Sequence, residues 1–159
     1  MLIALLALAG VFVALYLTLY KFGVVGALTC QIGSCERVNT SRWAVFLGLP
    51  VAAWGMGTYI ILFALALAGV QGAPSRPIAW ALTLLSGWGV AFSAWLTYLE
   101  LFVIHAICMW CVISAILMAL IFIASVVSLR QELREGEADS LASHSAPAHT
   151  PSAGQSGEL

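Results

Sequence analysis

The chain has 159 residues, of which 62% are hydrophobic and only 8% charged, with a net charge of −1 and a mean hydropathy of +1.03. A soluble domain carries roughly 25% charged residues, so that class is excluded. Six Lys and Arg against seven Asp and Glu also exclude a basic nucleic-acid surface. A membrane protein remains.

A bilayer core of about 30 Å is crossed by about 20 apolar helical residues. Four stretches meet that length without Asp, Glu, Lys or Arg: Met1 to Tyr20, Pro50 to Val70, Ile78 to Leu99 and Ala106 to Leu129. Lipid cannot satisfy peptide groups, so each is a helix or the set is a closed barrel. The apolar runs are continuous rather than alternating, which selects helices. The expected fold is an all-α, four-helix transmembrane bundle.

The first run reads as a span rather than a cleaved signal, since it lacks a basic start and is too long for a simple signal core. A lipidated Cys30 is disfavoured by Ala27-Leu28-Thr29 before it and by Lys21 upstream. The first loop holds Cys30 and Cys35, with Gly23, Gly26 and Gly33 making Phe22 to Ser34 flexible. Asn39, Thr40 or Ser41 is positioned to cap a short helix beginning near Arg42. Trp43, Val45, Phe46, Leu47 and Leu49 make that helix apolar enough to lie in the membrane interface. Pro50 suits the first turn of the second span.

Cys108-Met109-Trp110-Cys111 opens the fourth span. Positions i and i+3 lie on one helix face, within reach of a disulfide. Helix-terminal amides and the dipole favour thiolate, most strongly at the first cysteine, and thiolate is the attacking species in disulfide exchange. An even number of spans returns the chain to its starting side, so both cysteine pairs share one compartment. Four such thiols form a redox relay or a metal site. A four-thiolate zinc centre fits the spacing, but a helical bundle needs no such staple, and a metal path would need polar groups at mid-membrane, where none of the four spans carries a charged residue.

Residues 130 to 159 carry two basic and five acidic groups and then run into Ser, Ala, Pro and Gly. This composition predicts a disordered tail after a membrane domain of residues 1–129, with His144 and His149 as solvated bystanders. Lys21, Arg37 and Arg42 on one face balance Arg76, Arg130 and Arg134 on the other, so the positive-inside rule does not orient the chain. Disulfides persist outside the reducing cytosol, which predicts an extracytoplasmic cysteine face and cytoplasmic termini.

Cys30-x4-Cys35, Ser41 six residues later, the Cys-x-x-Cys at the fourth span and the run Tyr98-Leu99-Glu100-Leu101-Phe102-Val103-Ile104-His105-Ala106-Ile107-Cys108 resemble the vitamin K epoxide reductase family, especially its bacterial branch. The other four-span disulfide-oxidase family places its Cys-x-x-Cys near span two. The resemblance covers residues 1 to about 130 and implies a quinone-coupled oxidase of the cell (inner) membrane, using menaquinone or ubiquinone. It implies that Cys111 faces the quinone beside Cys108, and that Cys30 and Cys35 form a shuttle pair. Cys30 would then meet a thioredoxin-like partner and Cys35 would exchange with Cys108. Ser41 matches a serine near the quinone pocket, or is a plain helix cap. Ala115 stands where vertebrate members have tyrosine, so vitamin K epoxide reduction is not implied. The cysteine-free tail supplies no fused thioredoxin-like domain, so a soluble partner is expected in trans. Trp54, Trp80, Trp88, Trp95 and Phe92 are candidates for the pocket wall or for interface anchors. Glu100 and His105, expected in a short connection on the cysteine face, are an interfacial carboxylate and a solvated histidine, or they deliver protons to the reduced quinone.

Overall fold

The computed structural model describes residues 1–26, 34–72 and 75–145. Its order is α1 (Leu2–Lys21), α2 (Cys35–Thr40), a 3-10 turn (Arg42–Ala44), strands β1 (Val45–Phe46) and β2 (Leu49–Pro50), then α3 (Val51–Val70). α4 (Ser75–Leu99), a π turn (Glu100–Ile104) and α5 (Met109–Ser145) complete it. Helices α1, α3, α4 with its π turn, and α5 are each long and apolar enough to cross a membrane.

Helix α1 packs on α3 and α5, and α4 packs on α5 and α3, so the four form a ring. Small residues let the helices approach. Ala4, Ala7, Gly10 and Ala14 recur along the buried face of α1 at helical spacing. A methyl group on Gly10 would overlap the Tyr59 ring of α3, and one on Gly89 would lie 2.7 Å from Met118 Sδ of α5. The core joins Ala7, Ala14, Tyr59, Leu62, Leu82, Met118 and Ile121. Buried hydroxyls inside the spans return to their own helices: Thr18 donates to the Ala14 carbonyl at 2.7 Å, Ser86 to Leu82 at 2.6 Å and Ser125 to Ile121 at 2.8 Å. Among the described residues, no buried side-chain nitrogen or oxygen lacks a partner, as a medium that offers none demands.

Three expectations are corrected. The short helix starts at Cys35 rather than near Arg42. Its polar residues close its own end: Ser41 donates to the Val38 carbonyl at 2.7 Å, and Thr40 to that of Glu36 at 2.7 Å. Ser41 therefore gives no side-chain N-cap to the next elements, which are one 3-10 turn and a two-stranded hairpin pairing Val45 with Pro50 and Phe46 with Leu49. The third span begins earlier and ends later than the charge-free run, taking in Arg76 and Glu100. The apolar residues after Glu100 hold the helical path, widened by a π turn, as far as Ile104. Finally, residues 130–145, expected to be disordered, continue α5. Leu, Arg, Gln, Glu and Ala are strong helix formers, and extending an existing helix needs no costly nucleus. Residues 146–159 lie outside the described residues.

Candidate functional site

At one end of the ring, α2 lies against the entry to α5. The Ser34 N–H donates to the Ile107 carbonyl at 3.0 Å, and Lys21 Nζ at the end of α1 donates to the Asn39 carbonyl at 2.6 Å. These bonds seat Cys35, Val38, Ala106 and Cys108 in one buried cluster, edged by Ile104, Met109, Trp110 and Cys111. Cys35 is disulfide-bonded, whereas Cys108 and Cys111 are free thiols. Cys30 lies outside the described residues. A disulfide at Cys35 also withdraws one of the thiolates that a four-cysteine metal centre would use.

The Cys-x-x-Cys pair straddles a boundary. Cys108 precedes α5, and its carbonyl accepts the Val112 N–H at 3.1 Å as the first bond of that helix. Cys111 lies within the first turn. The Cys108 thiol sits below the usual thiol range, chiefly because the Cys111 thiol donates a hydrogen bond to it. Burial opposes this, the Cys111 and Trp110 amides assist, and the Glu100 charge opposes. Asn39 spans both cysteine elements: its Nδ2 donates to the Cys35 carbonyl at 3.0 Å and lies 3.9 Å from Cys108 Sγ.

Cys111 lines a cavity of about 410 Å³ enclosed by the four spans, α2 and the hairpin. Trp54, Trp88 and Phe92 give it aromatic walls, and Asn39, Ser41 and Tyr59 give it polar points. Trp54 is steadied by donating its Nε1–H to the Phe46 carbonyl at 3.1 Å. Tyr59, 1% exposed, donates its hydroxyl to the Ser114 carbonyl at 2.7 Å. Trp95 lines a smaller neighbouring pocket with Phe92. Trp80 lines neither, and 45% of it faces outward.

Glu100 is not the interfacial carboxylate that the sequence suggested. It is 4% exposed, lines the cavity, and accepts the Cys108 N–H through Oε2 at 3.1 Å. His105 is exposed and adopts the left-handed region, with φ 51° and ψ 41°, as the C-cap of the π turn. From the sequence, Asn39 reads only as a cap and Tyr59 does not stand out. Asn39 carried a signal, standing four residues after Cys35 on one helix face. Tyr59 carried none, because one tyrosine in an apolar span reads as packing.

The profile of the Vitamin K epoxide reductase family matches residues 1–126, which is most of the chain and all of this site. The chain belongs to the vitamin K epoxide reductase family. It is accordingly a multi-pass membrane protein and a membrane thiol-disulfide oxidoreductase with redox cysteines. Within this family member, the free Cys108 and Cys111 lie at the mouth of α5, beside the oxidised Cys35.

Proposed function

We propose that the protein carries electrons from a soluble thioredoxin-like dithiol partner to a membrane quinone, supporting disulfide formation in secreted proteins. The Cys30–Cys35 disulfide accepts two electrons from the reduced partner, which leaves oxidised. Cys35 then attacks a Cys108–Cys111 disulfide at Cys108, releasing Cys111, and Cys30 attacks Cys35 of the resulting Cys35–Cys108 bond, which restores the Cys30–Cys35 disulfide and leaves the second pair as dithiol. The observation that carries this reading is the burial of Cys35 and Cys108 in one cluster while Cys111 borders the cavity.

The cavity fits a quinone ring. Its volume of about 410 Å³ falls in the roughly 300–1,000 Å³ range of small-molecule sites, and its walls are aromatic with a few polar points. Trp54, Trp88 and Phe92 would hold the ring, with Asn39, Ser41 and Tyr59 around its edge. A bound quinone, menaquinone or ubiquinone, supplies an acceptor for two electrons and two protons. A strongly oxidising periplasmic dithiol protein stands near roughly −120 mV, beyond re-oxidation by glutathione, so a lipid-borne oxidant is needed. The cysteine end then faces outward in the cell (inner) membrane, both termini face the cytoplasm, and the partner acts in trans.

A trapping experiment tests the route. Membranes carrying Cys35→Ser should no longer turn over reduced partner, and when given the partner in its disulfide form they should accumulate a mixed disulfide with Cys30 by thiol–disulfide exchange. A Cys35→Ser protein that oxidises its partner at the wild-type rate removes Cys35 from the relay.

A further inference from the structure

Glu100 has no role in the transfer of electrons between the cysteine pairs, yet it is buried on the π turn in the same cavity wall as Cys111. Its main-chain carbonyl accepts the Ala106 N–H at 3.0 Å, its carboxylate accepts the Cys108 N–H at 3.1 Å, and the Cys111 side chain lies beside that carboxylate in the cavity wall. The Cys111 thiol therefore neighbours both the Cys108 thiol and a carboxylate. A buried carboxylate in a membrane bundle is costly, and a neutral Ser or Asn satisfies a helix-start N–H equally well. The charge calls for a reason beyond capping.

The relay supplies one. Of the two thiols, Cys108 is the one held toward thiolate, so Cys111, the one bordering the cavity, still carries a proton that must leave when it is oxidised. The other titratable groups lining the cavity are engaged: Lys21 Nζ already donates to the Asn39 carbonyl, and the Tyr59 hydroxyl to that of Ser114.

We infer that Glu100 is the catalytic base for Cys111, taking the thiol proton as the Cys108–Cys111 disulfide forms and releasing it into the cavity. This rests on the reading that Cys111 delivers electrons to a quinone. The half-reaction balances: thiolate Cys108, thiol Cys111 and carboxylate Glu100 become one disulfide, one carboxylic acid and two electrons. A bound quinone would supply the acceptor for both electrons and two protons, one from Glu100, which returns to carboxylate, and one from water.

Infrared difference spectroscopy on quinone-extracted protein tests the proton step apart from turnover. With Cys30 and Cys35 replaced by Ala, converting the remaining dithiol to the disulfide with a small-molecule oxidant should raise a protonated-carboxyl band. Glu100→Gln should abolish that band. Quantitative disulfide formation without the band in the unsubstituted Glu100 protein overturns the assignment, and this measurement does not depend on how the variant folds. Glu100→Gln keeps an acceptor for the Cys108 N–H, so the fold should persist. Quinone reduction by the pre-reduced protein should fall by roughly 10²–10⁴-fold, the usual contribution of general acid–base catalysis. A glutamine variant at the wild-type rate leaves Glu100 a cap and sinks the proposal. If the unsubstituted protein reduces no quinone while the carboxyl band still appears, the electron acceptor is wrong and the base is right.

Discussion

At the residue scale, the two thiols of the Cys-x-x-Cys pair are unequal, and the inequality predicts a titration. Cys108 is held below the ordinary thiol range first by the hydrogen bond from Cys111, against its own burial. In the reduced protein with Cys30 and Cys35 replaced, thiolate absorbance should therefore appear at a midpoint below the free-cysteine value of about 8.5. Thiolate is present above that midpoint and lost as pH falls through it. Cys111→Ala removes the largest cause, so the midpoint should move up; an unmoved midpoint means another donor holds the thiolate. The four cysteines were legible in the sequence because thiols at Cys-x-x-Cys spacing beside a span have few other uses. The burial of Glu100 was not, since a carboxylate near a span end looks the same whether the chain turns inward or outward there. What decides it is the π turn, which swings Glu100 Oε2 to the Cys108 N–H eight residues on.

At the scale of elements, the hairpin after α2 holds an unfavourable residue. Leu47 and Gly48 form its tip with φ of 52° and 80°, two positive values in succession as a type I′ turn requires. A leucine in that region costs roughly 1–2 kcal/mol, a penalty asparagine largely avoids. Leu47→Asn should raise the thermal midpoint in detergent, by the equivalent of about 1 kcal/mol. A lowered midpoint would mean that the leucine packs more than its 78% exposure suggests. A leucine there suits an apolar tip lying in lipid, beside the exposed Val45, Phe46 and Leu49. The long spans were readable because continuous apolar runs admit one solution in a bilayer. The elements of the first loop were not, because Asn39, Thr40 and Ser41 bond backward to close α2 as readily as forward to open a new helix. The helical start of the expected tail was missed for a related reason: low hydrophobicity says that a segment cannot fold alone, not that it cannot prolong a helix already formed.

At the scale of the whole molecule, the ring of four spans brings the α2 cysteine and the α5 entry to one end. Impermeant thiol reagents should report that end in intact cells, using a chain whose own cysteines are replaced. His105→Cys, at an exposed site on the cysteine end, should label without permeabilisation, and Arg134→Cys only after it. The reverse pattern inverts the proposed orientation. Close helix approach sets a second expectation. Gly10→Ala drives a methyl into the Tyr59 ring, which lines the cavity, so it should cost about 1–3 kcal/mol of stability and weaken quinone binding together. Loss of stability with unchanged binding would separate the packing of α1 from the shape of the cavity.

The ring also has a consequence in time. Helix α1 leaves the ribosome first, yet its packing partners are α3 and α5, and the cavity wall runs from Ala14 of α1 to Met118 of α5. A chain grows at about 5–20 residues per second, so α1 waits in the bilayer for seconds with its small-residue face unpaired. In the proposed orientation and relay, Cys35 meets the outside before Cys108 exists to receive its electrons. On that proposal every newly made copy passes through an interval in which its first thiols meet oxidants and partners with no exit for electrons, and only the arrival of α5 joins the two ends of the path.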